Sequence, residues 1–419
     1  MTKPNRRDMF RLGAAAGAAL IAASGRGARA VPPLGAPPAD DAWSNSLGHG
    51  VDSKPYGSPS RFEKNVVRRY VPWLSPTRDA DASMTPLQDQ PGIITSNGVF
   101  FERYHAGVPQ VDPKAFRLMI SGRVKKPLLL TLDQLMRYPS VSRIHFIECP
   151  ANGATEWPAA QLNSLQLTHG MIGCAEWTGV LLSTLLDEAG LYPDSRWVTA
   201  TGSDGAHMNR SLPMMKCLDD CMIAWGQNGE AVRPEQGYPA RLVVPGWQGN
   251  VNVKWLREIQ VGREPWITRE ETSEYSELLG DGTSLGFTWV MDAKSVITFP
   301  CPEKPLTQGP GFYEIRGLAW SGRGKVKYVD ISLDGGVNFQ RARLDNPILD
   351  KCMTRFTLPW WWDGKPALIQ SRVTDETGYV QPTIVQKHKF WGADPVYENN
   401  SIQTWQVLAS GAVNNVQLS

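Results

Sequence analysis

The sequence predicts an α+β domain followed by an Ig-like β-sandwich, and two observations carry this prediction. Residues 91–286 mix strand-like runs such as Phe116–Ile120 with helix-like stretches. Residues 287–393 contain short β-rich runs at sandwich-like spacing, separated by turns such as Asp334-Gly335-Gly336. The chain has 419 residues, of which 42% are apolar and 20% charged. A chain of this length and composition can bury two cores, and an intrinsically disordered chain is excluded.

The first 30 residues predict an export signal. They carry the pair Arg6-Arg7, an apolar run over Leu12–Ser24 and the cleavage pattern Ala28-Arg29-Ala30. The apolar run is too short to span a bilayer, and the arginine pair is typical of twin-arginine export. We therefore expect a periplasmic protein that is exported folded, commonly with a cofactor, and has no membrane span. Without residues 1–30 the chain has 37 basic and 40 acidic residues, a net charge of −3, which argues against nucleic-acid binding.

The remaining elements follow in chain order. Residues 31–90 are rich in Pro, Asp and Ser and predict an extended lead-in. Thr131 is a candidate N-cap for a helix over Leu132–Arg137, and a second helix is expected to include Thr184–Glu188. The expected sandwich strands are Thr288–Met291, Ser295–Thr298, Tyr313–Ala319, Val326–Ser332, Gln340–Leu344 and Leu368–Thr374. Residues 394–419 are expected to form a polar tail.

Among six cysteines, Cys149 stands out because it ends an apolar run and is followed at once by Pro-Ala-Asn-Gly. This places a thiol at a strand end above a tight turn, where a thiolate can bind a transition metal. Taken alone, the position of Cys149 favours an ordinary buried cysteine over a metal ligand. Cys217 and Cys221 are predicted to share a helix as small packing residues. The chain has no C-x-x-C-H motif, so we expect no covalently attached haem.

Two basic residues lie in apolar surroundings. Arg241 opens a Val-rich strand, and Lys254 stands between Val253 and Trp255. Charges in such surroundings need partners, and a phosphate-bearing ligand would supply one.

These motifs resemble the sulfite oxidase family of molybdenum enzymes. The matching runs are R-x-H at 103–105, N-G-E at 228–230, G-Y-P-x-R-L-V-V-P-G at 237–246 and V-K-W-L at 253–256. The resemblance covers roughly residues 90–390, so that residues 91–286 correspond to a molybdopterin-binding domain and the sandwich to a dimerisation domain. Further runs at 245–249, 268–273 and 293–300 resemble one branch of the family, SoxC, the molybdenum subunit of a bacterial sulfane (sulfite) dehydrogenase.

The resemblance implies a molybdenum–molybdopterin cofactor and a role for each matching residue. Cys149 would be the thiolate ligand of molybdenum, while Arg103 and Tyr275 would face the substrate. The residues that would contact the cofactor are Arg103, His105, Cys149, Asp204, Gln236, Arg241 and Lys254. Gln236 stands where sulfite oxidases carry a histidine, so this contact is altered.

Departures from the family pattern concern the substrate. The turn Pro150–Ala154 lacks the arginines that follow the cysteine in sulfite oxidases, and residues 397–402 lack the arginine of the family's C-terminal motif. A small dianion needs several fixed cations, and mainly Arg103 is left to supply them. We therefore expect a sulfane sulfur carried on a partner protein's cysteine as the substrate. The electrons would pass to a separate periplasmic c-type cytochrome subunit of the SoxD kind, in a heterotetramer built on a homodimer through the sandwich.

Three alternatives remain open on the sequence. Within the resemblance, the chain could be a conventional sulfite:cytochrome c dehydrogenase acting on free sulfite, or a methionine-sulfoxide reductase of the same superfamily. Outside it, the chain could be a secreted binding module whose first domain is not catalytic.

Overall fold

The computed structural model describes residues 56–71, 73–392 and 395–418. The predicted export signal and residues 31–55 of the lead-in lie outside the described residues. Residues Ser58–Ser419 form one compact unit. Among the described residues, no helix has the length and apolar character needed to cross a membrane.

The described part of the lead-in contributes two strands to a small antiparallel sheet. Its strands, in the order β1-β2-β3, are β1 (Arg69–Tyr70), β2 (Ala82–Met84) and β3 (Glu102–Arg103). Strand β2 pairs with β3 and places Ala82 opposite Arg103. The lead-in therefore positions a predicted site residue.

Two five-stranded sheets form the first domain. One has the order β11-β10-β7-β6 with β12 paired to β10, and the other has the order β5-β4-β13-β8-β9. Only the pairing of β13 with β4 is parallel within these two sheets. The elements are β4 (Leu118–Gly122), β5 (Leu128–Leu130), α1 (Leu132–Leu135), β6 (Ser140–Glu148), α2 (Leu165–His169), β7 (Ile172–Leu181), α3 (Leu182–Ala189), β8 (Trp197–Gly202), β9 (Asn209–Pro213), α4 (Met214–Asp219), β10 (Met222–Gln227), β11 (Glu230–Ala231), β12 (Arg241–Val243) and β13 (Leu256–Gly262).

The structure tests three helix predictions in this domain. The Thr131 side chain accepts a hydrogen bond from the Gln134 N–H in a capping box, as predicted, although α1 ends at Leu135 rather than at residue 137. The prediction of a helix over residues 184–188 is confirmed by α3. The prediction that Cys217 and Cys221 share a helix is wrong, because α4 ends at Asp219.

A connecting segment leads from the first domain to the sandwich. It contains α5 (Arg269–Ser273), whose N-terminus has a capping box between Thr268 and Glu271, and a hairpin of β14 (Ser276–Leu278) and β15 (Ser284–Gly286).

The second domain is the expected sandwich. Its two sheets have the orders β16-β17-β21-β20 and β19-β18-β22-β23-β24. Its elements are β16 (Lys294–Phe299), β17 (Gly311–Trp320), β18 (Val326–Ser332), β19 (Gln340–Arg341), β20 (Arg343–Leu344), β21 (Thr354–Trp362), β22 (Ala367–Asp375), α6 (Ile384–Trp391), β23 (Thr404–Val407) and β24 (Val413–Val416).

Three expectations about the sandwich need correction. Residues 288–291 form no strand; Val290 makes one isolated bridge to Trp247. Strand β21 was not predicted, because Pro359 interrupts its β-rich pattern. The expected polar tail instead adds β23 and β24 to the second sheet and buries Trp405 completely. The largest hydrophobic core cluster joins the sandwich to Phe146 and Ile172 of the first domain.

Candidate active site

A cavity lies beside the end of β6. Its wall combines β3, the end of β6, the loops that follow β8 and β12, and Tyr275 after α5. The structure brings together all eight residues that the sequence predicts for the site: Arg103, His105, Cys149, Asp204, Gln236, Arg241, Lys254 and Tyr275.

Cys149 follows the last residue of β6 and lies almost fully buried in the cavity wall. Its N–H donates to the Met171 carbonyl at 3.0 Å, and its carbonyl accepts from the Asn152 N–H at 2.9 Å. The strand therefore ends in the tight turn that the sequence predicts. Burial raises the pKa of the thiol, while the Ala151 N–H and the charge of Arg103 act in the opposite direction. A metal cation at the sulfur would favour the thiolate form.

A buried ion pair fixes the turn that carries Cys149. The carboxylate of Glu148 accepts hydrogen bonds from Asn152 Nδ2 at 2.9 Å and Trp320 Nε1 at 2.6 Å, and it lies 3.4 Å from Lys294 Nζ. Lys294 Nζ also donates to the Asn152 carbonyl at 2.7 Å. Lys294 and Trp320 belong to β16 and β17, so the sandwich holds the turn of the first domain in place.

The segment before β23 contacts the same turn. Asn399 Nδ2 donates to the Gly153 carbonyl at 3.1 Å, and the Glu398 N–H donates to the Pro150 carbonyl at 2.9 Å. The Glu398 carboxyl accepts from Gln248 Nε2 at 2.5 Å, and burial raises its pKa to about 8. An acidic residue therefore lies close to the turn in the segment where the family motif carries an arginine.

Two cations lie in another part of the cavity wall. Arg241 donates to the carbonyls of Gln236 and Asn252 at 2.8 and 3.0 Å, and Lys254 donates to the carbonyls of Arg103 and Glu235 at 3.0 Å each. Among the described residues, neither cation pairs with a carboxylate, and Arg241 Nε is buried without a hydrogen-bond partner. Burial lowers the pKa of Arg241 to about 9 and that of Lys254 to about 7. An anionic ligand would neutralise both charges.

Gln236 and Asp204 are two further predicted residues of the cavity wall. Gln236 Nε2 donates to the Phe101 carbonyl at 2.7 Å, and its side-chain oxygen lies 3.3 Å from Arg241 Nη1. Asp204 is 3% exposed and accepts from the Met208 N–H at 3.1 Å. These contacts fix both side chains against the backbone, so the polar groups are preorganised rather than free to turn.

Arg103, His105 and Tyr275 line both this cavity and a second, polar cavity beside it. Arg103 donates to the Ala80 carbonyl at 3.0 Å. Burial within the cleft, and then the charge of Arg103, lower the pKa of His105, so its ring is neutral at pH 7. Tyr275 is 6% exposed and its ring centroid lies 5.3 Å from that of Tyr397. Burial raises the pKa of Tyr275, so its phenol remains a hydrogen-bond donor.

Sequence reasoning missed Arg210, a fully buried cation in β9. Its guanidinium lies 4.6 Å from the centroid of the Tyr275 ring and 3.4 Å from Glu271, and it bonds to the Asn250 side chain. Tyr275 and Asn250 both line the cavity. Arg210 therefore contacts two residues of the cavity wall from outside the cavity, whereas Arg103 lines the cavity itself. Its short context, Asn-Arg-Ser-Leu-Pro, carries no signal that distinguishes it from a surface arginine.

Asn250 and Asn252 were also missed, although a usable signal existed. They lie between the two runs at 245–249 and 253–256 that carry the resemblance, and both line the cavity. The Asn252 side chain accepts from the Val244 N–H at 2.7 Å and donates to the Gln248 carbonyl at 2.9 Å. These bonds hold the loop between the runs in a single shape.

Comparison with known proteins gives the class of enzyme. The family model described as the oxidoreductase molybdopterin binding domain matches residues 105–269, and the Mo-co oxidoreductase dimerisation domain matches residues 286–401. Rat mitochondrial sulfite oxidase is 29% identical over 315 residues, which are 70% of this chain and 57% of that protein. Human mitochondrial sulfite oxidase is 32% identical over 306 residues, which are 68% of this chain and 55% of that protein.

A solved structure is more similar still. The crystal structure of the sulfane dehydrogenase SoxCD from Paracoccus pantotrophus aligns with a TM-score of 0.88 and 48% identity, covering 90% of this chain and 97% of that chain. The chain thus belongs to the sulfite oxidase family of molybdenum oxidoreductases, and it spans little more than half the length of the rat and human sulfite oxidases.

The cofactor of this family is molybdenum held by molybdopterin, and the cavity fits it. A soft thiol in one part of the wall suits a transition metal. The two cations without a counter-anion, one of them with an orphaned Nε, suit a phosphate. The chain is therefore an oxidoreductase with a molybdenum cofactor.

Proposed function

We propose that this enzyme oxidises a sulfane sulfur carried on a cysteine of a partner protein, and that its electrons pass to a c-type cytochrome. The observation that carries the proposal is the 48% identity to a sulfane dehydrogenase over 97% of that chain. The sulfite oxidases, at 29 and 32% identity, are more distant.

The charges around Cys149 support a substrate other than free sulfite. The turn that follows Cys149 has no basic side chain, and the buried carboxyl of Glu398 lies against its backbone. Because burial raises the pKa of Glu398 to about 8, a dianion placed there would meet a largely neutral carboxyl and not the cation that sulfite oxidases provide. A sulfane sulfur bound to a carrier's cysteine has less charge to neutralise, and Arg103 in the cavity wall is enough for it.

Each of the eight predicted cavity residues has a role in this proposal. When bound, the molybdenum cofactor supplies oxygen-atom transfer and accepts the two electrons. Cys149 binds the metal through its thiolate. Arg241 and Lys254 hold the phosphate. His105, Asp204 and Gln236 contact the pterin. Arg103 also contacts the cofactor, and its guanidinium faces the substrate together with the Tyr275 phenol. The buried wall keeps water away from the reacting sulfur, which strengthens these electrostatic contacts.

The location and the assembly belong to the same proposal. The arginine pair at residues 6–7 supports twin-arginine export to the periplasm, where c-type cytochromes and a sulfur-carrier protein would be available. The dimerisation domain that matches residues 286–401 supports a homodimer through the sandwich. A cytochrome subunit of the SoxD kind would complete a heterotetramer, by analogy with the SoxCD structure.

Steady-state kinetics test the proposal. The purified enzyme is assayed with a c-type cytochrome as acceptor, using either a carrier protein loaded with sulfane sulfur or free sulfite as donor. We expect turnover with the loaded carrier and a high KM with free sulfite. A high kcat with a micromolar KM for free sulfite would instead establish the conventional sulfite:cytochrome c dehydrogenase.

A further inference from the structure

Two buried thiols face each other where the first domain meets the sandwich. Cys174 lies in β7, and Cys352 lies two residues before β21. Their Sγ atoms are 3.4 Å apart, and neither residue is exposed to solvent. Both belong to the hydrophobic core cluster that joins the two domains.

Backbone contacts fix both cysteines in this arrangement. Cys174 exchanges two hydrogen bonds with Thr95: its N–H donates to Oγ1 at 3.0 Å, and its carbonyl accepts from the Thr95 N–H at 2.7 Å. Phe146, the direct partner of Cys174 across the β6–β7 ladder, donates its N–H to the Lys351 carbonyl at 3.3 Å. The residue next to Cys352 is thus bonded to the residue opposite Cys174.

A side-chain ion pair strengthens the same junction. Lys351 Nζ lies 2.7 Å from the Asp220 carboxylate of the first domain, and Asp220 also pairs with Lys216 at 2.6 Å. Lys351, the residue before Cys352, is therefore anchored to the first domain through both its carbonyl and its side chain.

We propose that Cys174 and Cys352 are the two halves of an inter-domain disulfide, formed by exchange with a disulfide oxidant. Bond formation needs an S–S separation near 2.05 Å, so the sulfurs must approach by about 1.4 Å, a movement within the reach of side-chain rotation. This assignment is independent of the substrate proposed above.

The exchange balances without any further reactant. One cysteine thiolate attacks the oxidant's disulfide and displaces one of its sulfurs as a thiolate. The second cysteine thiolate then attacks the mixed disulfide, the Cys174–Cys352 bond forms, and the oxidant leaves as two thiols. The oxidant gains the two electrons that the cysteines lose, and the two cysteine protons end on its sulfurs.

Burial decides when this reaction happens. An oxidant cannot reach a thiol that has no exposed surface, and burial raises the pKa of Cys174 well above its usual value. The exchange therefore waits for a local opening of the junction between the domains. Once formed, the bond joins residues far apart in the sequence, which restricts the unfolded chain strongly.

Mass spectrometry of the holoenzyme tests the assignment. The enzyme is incubated with glutathione disulfide at a temperature a few degrees below its Tm. It is then denatured in the presence of iodoacetamide, which alkylates free thiols, and digested without reductant. We expect a cross-linked peptide containing Cys174 and Cys352, about 2 Da lighter than its two reduced parts together. Recovery of both cysteines in alkylated form, or of either one linked to a different cysteine, would overturn the proposal.

A thermal measurement provides a second readout with a matched control. Cys301 is also a fully buried sandwich cysteine and makes no contact with another described cysteine. Oxidation should raise Tm by several degrees in the wild type and in Cys301→Ala, and should leave Cys352→Ala unchanged. A rise that persists in Cys352→Ala overturns the assignment. If Cys352→Ala does not fold, the peptide map of the wild type decides alone.

Discussion

The substitution Lys294→Met tests how strongly the sandwich controls the turn that carries Cys149. Lys294 is 2% exposed, and its Nζ lies 3.4 Å from the carboxylate of Glu148, which has no exposed surface. Methionine keeps the length and the apolar character of the side chain but removes the charge and the hydrogen bond to the Asn152 carbonyl. The Glu148 carboxyl is then left buried without a cation.

The magnitude follows from this burial. Removing one partner of a buried ion pair costs about 3–5 kcal/mol, because the other charge stays desolvated. Burial already raises the pKa of Glu148, which shows that its surroundings resist the charged form. The Asn152 carbonyl also loses its donor at 2.7 Å. We therefore expect the free energy of unfolding to fall by about 3–5 kcal/mol, together with a loss of bound molybdenum as the turn loosens.

Thermal unfolding and metal analysis of the same preparations measure both effects. The matched control is Lys365→Met, whose partner Asp363 lies at 2.9 Å, but with side chains 81 and 54% exposed. This control should leave Tm unchanged, because water screens an exposed pair. The double variant Lys294→Met/Glu148→Gln should recover most of the lost stability, since the amide can still accept from Trp320. The reasoning is refuted if Lys294→Met matches Lys365→Met in Tm and in molybdenum content.

Three further outcomes are expected. Cys149→Ser should keep the wild-type circular dichroism spectrum and lose turnover to background, whereas retained activity would refute its role as metal ligand. The cofactor-free protein should gain stability between pH 7 and 10, because burial lowers the pKa of Lys254 to about 7 and the unfolded chain then binds more protons in that window; Lys254→Met should flatten this gain in a series of Tm measurements. Arg210→Met/Glu271→Gln should lower kcat by roughly tenfold to a hundredfold through misplacement of Tyr275, with molybdenum content intact; an unchanged kcat would contradict that positioning role.

Most residues of the cavity could be predicted only through the family resemblance, which rests on motifs that are contiguous in the sequence. Cys149 is an example: an apolar run that gives way to Pro-Ala-Asn-Gly specifies both the strand and the turn. Arg241 and Lys254 could be predicted from their apolar neighbours alone. The two-domain order was predicted for the same reason, since strand and helix periodicity are local properties.

The parts that were missed depend on contacts between distant segments. Glu148 and Lys294 read as ordinary charged residues until the fold buries them together. Arg210 has no local signal because its partners lie on a different loop and on the connecting segment. Residues 404–416 look polar in sequence, yet pairing with β22 turns them into sheet strands.

The contacts of Lys294 and Asn399 with the turn after Cys149 also set the order of events during synthesis. The turn receives supports from residues 398 and 399, which follow Cys149 by about 250 residues and are therefore synthesised later. A nascent chain that has completed only its first domain still lacks these supports and the Glu148 counter-charge. We therefore expect the site to be complete only after the sandwich has been synthesised, and a product truncated before residue 398 to lack a fully formed site.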